Sequence, residues 1–418
     1  MKIFIANTHS ILNSGDVGIV LAQIQFLNKH FSNLEISLTS RTPEIDQKFY
    51  NPMGIKVLSP IIPSPSIFIG NIQKIEQSLK NLFAFKSKRN LMREIKKSDL
   101  VISSGGGYFY SNRKIFPGPM FFQNFLHVKL AIILNKPVIF FPQSFGPFYN
   151  PFALKILKNV LERDNVIKIF AREDISFNLL LNILNREKNK DKLELCPDIA
   201  FYLNKEKYQG GPPIELNLPR PIVAITLRQW DFPEVKNAKE KRKKKEEYLK
   251  SLKKICQEVF HNWGGSVIVF PQVRGPGILE DDRIISGKLW ERVKKIIPEK
   301  NRLFIDLPDA VSPFYIINIL SQVDLAIATR FHSAIFALIS GVPVISITYQ
   351  PKSKGIMELL GLEYFCVNIT DINSEEILRL IEEIFDHYSD VQKKIQDKIS
   401  DIRKTIETRL ESTIKCFY

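Results

Sequence analysis

Two polar residues, Arg330 and His332, stand between apolar runs in the segment LAIATRFHSAIFALISGVPVISITYQPKSKGIMELLG, residues 325–361. LAIAT reads as a buried strand and SAIFALISGVPVISITY as further core. Burying a guanidinium or an imidazole without a partner is costly. The cost disappears if both sit at the carboxyl end of a strand, where open α/β sheets hold their ligands. There a guanidinium binds carboxylate or phosphate in a planar fork, and an imidazole moves protons near neutral pH. A histidine bonded to backbone at a helix start is the alternative for His332.

Other polar residues fall at the same kind of place. Arg172 ends the run VIKIFA and Arg228 ends PIVAITL. Arg172 reads either as an anion contact or as half of an ion pair with Glu173 or Asp198. The tripeptide FPQ closes an apolar run in each half of the chain, which offers Gln143 and Gln272 as substrate contacts. Pro142, Gly146 and Pro147 are expected to make a turn that exposes Gln143 and Ser144. Ser333 and Tyr349, in the same segment as Arg330, join the donor and substrate candidates, as does Asp198.

Near the start, KIFIANT reads as a buried parallel strand, followed by NSGDVG and a helical pattern. Asn13, Gly15 and Asp16 lie at that turn. The helix start there suits an anion, although Asp16 is itself a good cap for those amides. Gly105, Gly106 and Gly107 follow another strand, and are expected to form a loop passing a ligand or a tight packing contact. Tyr108 follows with a polar end on offer. No Gly-Lys-Ser/Thr or G-x-G-x-x-G pattern occurs.

These residues need two series of strands and helices to position them. Alternation over about the first 200 residues predicts a doubly wound parallel sheet. Residues 204–220 carry Gly210, Gly211, Pro212, Pro213 and Pro219 and read as a linker. A second α/β series follows. The expected division is 1–205 (a domain on the acceptor side), 206–220 (linker), 221–372 (a domain on the donor side) and 373–418 (a helical segment that packs back across both). Residues 44–70 read as an irregular, Pro-rich loop, and 71–98 and 278–297 as helical.

The chain has 418 residues, 59 Lys and Arg against 44 Asp and Glu, and a formal charge of +15. That balance suits an anionic partner, whether a small anion or an anionic membrane, or reflects a solvated lysine-rich surface. No zinc-finger, RRM or KH pattern supports nucleic acid as the partner. The Lys-rich run at 239–245 is mixed with Glu and leads into a helical apolar pattern, so it reads as a solvated face. Four separated cysteines without C-x-x-C point away from a zinc ribbon or thioredoxin-type site. No His/Cys/Asp cluster has ligand spacing, so no metal is expected. The expected location is the cytoplasm, against the inner face of the membrane if the positive charge serves that purpose.

Taken in order, NSGDVGI, SSGGGYFY, FPQSFGPF, FARED, CPDIAF, ITLRQ, FPQV and the opening segment resemble the polysaccharide pyruvyl transferase family over nearly the whole chain. The resemblance implies two Rossmann-like domains in a GT-B-like fold, with the active site in the interdomain cleft. It implies transfer of pyruvate from phosphoenolpyruvate, as co-substrate and with no further cofactor, to a sugar of a cell-wall or exopolysaccharide precursor. The acceptor is expected to be lipid-linked and the product a ketal. By the same resemblance His332 is the general acid and Arg330 a donor contact. Arg172 and Lys352 are further anion contacts, and Lys352 comes from the pattern Y-x-x-K. Residues 44–98 match the family poorly and are expected to hold acceptor-specific loops. Two other readings stay open: glycosyl transfer from a nucleotide sugar on the same fold, and a non-catalytic saccharide- or anion-binding protein.

Overall fold

The computed structural model describes residues 1–62, 85–111, 114–185, 189, 191–204, 215–308, 312–349 and 351–417. The expected linker falls largely outside them. The chain forms two compact units. Unit 1 comprises Met1–Ile11, Asp16–Leu203 and Lys404–Tyr418, and unit 2 comprises Leu12–Gly15 and Asn204–Arg403.

Unit 1 holds an eight-stranded sheet. Its strands are β1 (Lys2–Ala6), β2 (Glu35–Thr39), β3 (Lys56–Leu58), β4 (Leu100–Ser103), β5 (Gly106–Ser111), β6 (Val138–Phe148), β7 (Val166–Ala171) and β8 (Leu193–Leu195). The order is β3-β2-β1-β4-β6-β7-β8, with β5 also on β6, and every pairing is parallel. All four residues of β4 are buried, as expected of a strand covered on both faces. The helices are α1 (Ser14–His30, in unit 1 from Asp16), α2 (Pro43–Tyr50), α3 (Phe85–Lys97), α4 (Pro119–Ile133), α5 (Pro151–Leu161) and α6 (Asp174–Ile183). Phe4, Val101, Phe109, Phe121, Phe140, Phe145 and Leu157 meet in the core between sheet and helices. Asn150 starts α5 by accepting the amide of Ala153 at 3.0 Å, with Pro151 in the first turn, where a missing N–H costs nothing.

Unit 2 holds six parallel strands: β9 (Ile222–Thr226), β10 (Ser266–Val269), β11 (Arg302–Phe304), β12 (Leu325–Ala328), β13 (Val344–Thr348) and β14 (Cys366–Asn368). Their order is β11-β10-β9-β12-β13-β14. The helices are α7 (Ala238–Trp263), α8 (Arg283–Val293), α9 (Pro313–Leu320), α10 (Phe331–Ile339), α11 (Pro351–Leu359) and α12 (Ser374–Asp386). Ser312 caps α9 with Pro313 behind it, as its sequence requires. The final helix α13 (Tyr388–Ile414) belongs to unit 2 up to Arg403 and to unit 1 from Lys404.

Four local expectations need correction. Within 44–70, α2 and β3 are regular elements; buried Asp46 accepts from Ile11 N–H and the Thr42 hydroxyl and so fixes the start of α2. Residues 63–84 lie outside the described residues. The stretch FFPQSFGPF continues as strand β6 because its prolines fall where pairing is already irregular. The register with β7 shifts between Phe140 and Gln143, beside Pro142, and an irregular register needs no ladder donor from proline. The glycine run opens β5 rather than a loop. In the 278–297 region the α-helix is confined to Arg283–Val293, since Asp282 before it is bound elsewhere.

Candidate functional site

In unit 2 the chain fills the sheet outward from β9 in one direction and from β12 in the other. Neighbouring β9 and β12 therefore mark the switch point where open sheets leave a crevice at their carboxyl ends. Thr226 pairs with Ala328, so Arg228 and Arg330 come two residues later on adjacent strands at the same level. Gln272 follows β10 and Tyr349 follows β13, which places both on the same carboxyl edge.

Arg330 is held from one side. Its Nε donates to Asp282 Oδ2 at 2.9 Å, and its Nη2 donates to Asp282 Oδ1 at 2.6 Å and to the Glu280 carbonyl at 2.8 Å. Among the described residues Nη1 has no partner. Asp282 is fully buried and also accepts the amide of Val273 at 3.0 Å. Burial pulls the Arg330 guanidinium down, but the charge and hydrogen bonds of Asp282 outweigh that and raise it, so it stays charged.

Arg228 is half-buried. It donates to the Tyr349 hydroxyl and lies over the rings of Tyr349, 4.1 Å from the centroid, and Trp230, 5.3 Å. Burial, and secondarily the charge of Arg330, pulls its pKa below the ordinary arginine value against the opposing pull of Tyr349. A second guanidinium close enough to lower Arg228 makes a site that favours an arriving anion.

Arg330 has extended backbone and precedes α10, and its carbonyl accepts the amides of Ser333 and Ala334. His332 therefore sits in the first turn of α10, where main-chain amides face away from the helix body. A second segment braces this turn. The Leu12 carbonyl accepts the amide of Arg274 at 2.8 Å, Asn13 bridges Val273, and the Ser14 hydroxyl donates to the Gln272 carbonyl at 3.1 Å. Ser333 donates to Gln272 Oε1. Gly15 packs so closely that a Cβ there would lie 2.6 Å from Cγ and 2.8 Å from Cβ of His332. Unit 2 thus gathers Asn13, Gly15, Arg228, Gln272, Arg330, His332, Ser333 and Tyr349. Lys352 falls in the first turn of α11, and its side chain lies outside the described residues.

The unit 1 candidates form other arrangements. Arg172 donates to Asp198 Oδ2 at 2.6 Å and to the Ser144 hydroxyl at 2.7 Å, and lies 3.4 Å from Glu173. Of its two readings, the buried ion pair is the one present. Asp198 is fully buried, pairs with Arg172 and caps the turn at Ala200. Gln143 and Ser144 are buried, not exposed, because β6 runs through them. Gln143 Nε2 donates to Ser103 at 3.4 Å. A Cβ on Gly105 would lie 2.9 Å from the Pro142 carbonyl and 3.0 Å from Ile19, which is the packing version of the glycine run. Gly106 has φ +116°, and Gly106 and Gly107 begin β5. Asp16 does not cap α1, which starts at Ser14; it accepts the Tyr108 hydroxyl at 2.7 Å and lies 3.6 Å from His9 Nδ1. Tyr108 is buried, and burial with the Asp16 charge beside it pushes its phenol well up.

Several residues escaped the sequence reading. Asp282 and Glu280 hold Arg330 from a run of three acids in a basic chain, and that run was the available signal. Trp230 closes over Arg228 two positions along. His9 and Arg41 contact one another beside Asp16, with nothing in their local sequence to mark them.

A family model described as polysaccharide pyruvyl transferase matches residues 13–351. The amylovoran biosynthesis protein AmsJ of Erwinia amylovora is 24% identical, over 96% of each chain. Among solved structures, Anabaena HepE in complex with UDP and glucose aligns with a TM-score of 0.57 at 12% identity, covering all of both chains. UDP-GlcNAc 2-epimerase from Neisseria meningitidis aligns with a TM-score of 0.57 at 13% identity, covering 99% of this chain and all of that one. At such identities the structural likeness speaks for the fold: two Rossmann-like α/β domains of the GT-B type.

Proposed function

The chain belongs to the polysaccharide pyruvyl transferase family, and from that premise we propose that it transfers pyruvate from phosphoenolpyruvate to a polysaccharide precursor as a ketal. The observation that carries the reading is that Arg228 and Arg330 each follow by two residues the end of the paired strands β9 and β12 at the switch point, with His332 in the next helical turn. Phosphoenolpyruvate carries its carboxylate and its phosphate ester on the same carbon. Two guanidiniums at one level and the amides of a helix start suit that pair of anions.

His332, as imidazolium, gives its proton to the methylene carbon of the donor, and positive charge develops on the neighbouring carbon. A sugar hydroxyl oxygen bonds to that carbon and returns its proton to the imidazole. The C–O bond to phosphate breaks and phosphate departs with the electron pair. A second sugar hydroxyl bonds to the same carbon, closing the ketal, and its proton leaves with phosphate. Arg330, fixed by Asp282, keeps Nη1 for the donor, and Arg228 holds the other anionic group. Lys352 adds a third cation in this proposal. No step requires a metal or an organic cofactor, so activity is expected to survive EDTA.

The acceptor we propose is a lipid-linked saccharide, reached from the cytoplasmic side of the membrane. Its chemistry is supported by similarity to a protein named for amylovoran biosynthesis. Isothermal titration with phosphoenolpyruvate and with UDP-sugars tests the donor. Heat of binding with phosphoenolpyruvate, lost in Arg228→Ala, is expected. Saturable binding of a UDP-sugar with none of phosphoenolpyruvate would point to glycosyl transfer instead.

A further inference from the structure

We infer that unit 1 carries a docking surface for an anionic lipid bilayer, made by residues 114–116 and the turn into α5. β5 and β6 are parallel neighbours, Ser111 pairs with Phe148, and the Tyr149 amide donates to the Ser111 carbonyl at 2.9 Å. The segments leaving the two strands therefore emerge side by side at the carboxyl edge of the sheet. Asn150 ties them together, donating from Nδ2 to the Lys114 carbonyl at 2.8 Å while its Oδ1 caps α5.

What these segments present is apolar. Ile115 is 98% exposed, Phe116 52%, Tyr149 57% and Phe152 57%. Single exposed apolar residues are ordinary, but four on two tied segments, three of them aromatic, are not. Phe116 is also propped on Phe122 of α4, with ring centroids 5.1 Å apart, so the patch has a packed base.

The charges beside it select the partner. Lys114 adjoins Ile115 in sequence, and Lys155 lies one helical turn beyond Phe152; both are exposed. Glu162, the acid just past the end of α5, lies 3.8 Å from Lys158, further along the helix. Aromatic and aliphatic tips flanked by lysines match the boundary of an anionic membrane, where rings enter the headgroup level and ammonium groups meet lipid phosphates. A second copy is a poorer occupant. A two-fold contact would set this lysine-flanked patch against a second copy carrying the same positive charges.

Vesicle binding needs neither donor nor acceptor, so this inference stands or falls separately from the proposed reaction. The full-length chain is sedimented with phosphatidylcholine vesicles, with and without 30% phosphatidylglycerol, at low and high salt. Binding to the anionic vesicles is expected, reduced by salt. Ile115→Ser with Phe152→Ser should abolish it. Lys114→Gln with Lys155→Gln should weaken it by roughly fivefold per lysine. These positions are exposed, so all variants should unfold at the wild-type temperature. Wild-type protein left in the supernatant, or equal binding by the Ile115/Phe152 variant, would overturn the inference. So would a wild-type dimer in analytical ultracentrifugation that the same variant converts to monomer, since a second copy would then cover the patch.

Discussion

Gly15 and His332 are in contact, and the contact leaves no room for a side chain at position 15. A Cβ there would sit 2.6 Å from Cγ of His332 and 2.8 Å from its Cβ, and nearer still to Nδ1. The segment that carries Gly15 is fastened on three sides, by Arg274 to Leu12, by Val273 to Asn13 and by Gln272 to Ser14. It cannot retreat without breaking these bonds, so a larger residue at 15 must move the imidazole.

Gly15→Ala should therefore lower kcat by about 100-fold, the usual cost of misplacing a catalytic group by about an ångström, with KM for the donor little changed. Steady-state kinetics and calorimetric donor binding check it. A variant with wild-type kcat would remove positional control of His332 by this turn.

Replacing His332 by Gln keeps the size of the side chain but not the transferable proton. Phosphate release should fall by about 10²–10⁴-fold. Donor affinity in titration should stay within a few-fold of wild type. Full activity would take the proton-transfer role away from His332.

Asp282 holds Arg330, and its loss leaves a charge buried alone. Asp282→Ala should cost about 3–5 kcal/mol of stability, read as a lower urea midpoint. Donor binding should weaken as well, because Arg330 loses its orientation. Unchanged stability would mean that water takes the place of the carboxylate without penalty.

Tyr349 acts on Arg228 through both its ring and its hydroxyl. Tyr349→Phe keeps the stacking and removes one hydrogen bond to a charged group, worth about 1.5–3 kcal/mol. KM for phosphoenolpyruvate should rise by about tenfold or more while kcat changes little. A fall in kcat with unchanged KM would place Arg228 in the chemical step instead.

His127 gives unit 1 an acid-sensitive core. The Ile61 amide donates to its Nε2 at 3.2 Å, so the ring is neutral with its proton on Nδ1, facing Asn7 Oδ1 at 2.9 Å. Burial lowers its pKa to about 3. The unfolded chain, titrating near about 6.5, takes up the proton first as pH falls. Stability from this residue is full above about pH 6.5 and is lost progressively toward pH 3, by a few kcal/mol in order of magnitude. Burial lifts Asp46 to about 6, which works in the opposite sense: the folded form takes up that proton first, so part of the loss is offset between about pH 4 and 6. His127→Gln should flatten the acid limb of a denaturation profile measured from pH 7 to 4. Parallel profiles for variant and wild type would contradict the assignment.

The α/β character was legible because parallel strands buried on both faces read as continuous apolar runs, such as LVIS and IVAIT. Arg228, Arg330 and His332 could be placed at strand ends for the same reason. What stayed hidden was decided by partners distant in sequence. Arg172 could be read two ways until Asp198 was found against it, and Gln143 passed for a turn residue until β6 was seen to pair on both sides. Asp282, 48 residues before Arg330, carries no local pattern that assigns it to that guanidinium. Gly15 read as a turn glycine, and only its approach to a side chain more than three hundred positions away explains why nothing larger fits.

The most direct test of the central claim is mass spectrometry of candidate lipid-linked saccharides incubated with the enzyme and phosphoenolpyruvate. The expected product is heavier than the acceptor by one pyruvate less one water, with one phosphate released per product and both formed about 10²–10⁴-fold more slowly by His332→Gln. An acceptor unchanged with phosphoenolpyruvate but extended by a hexose when a UDP-sugar is supplied would contradict it.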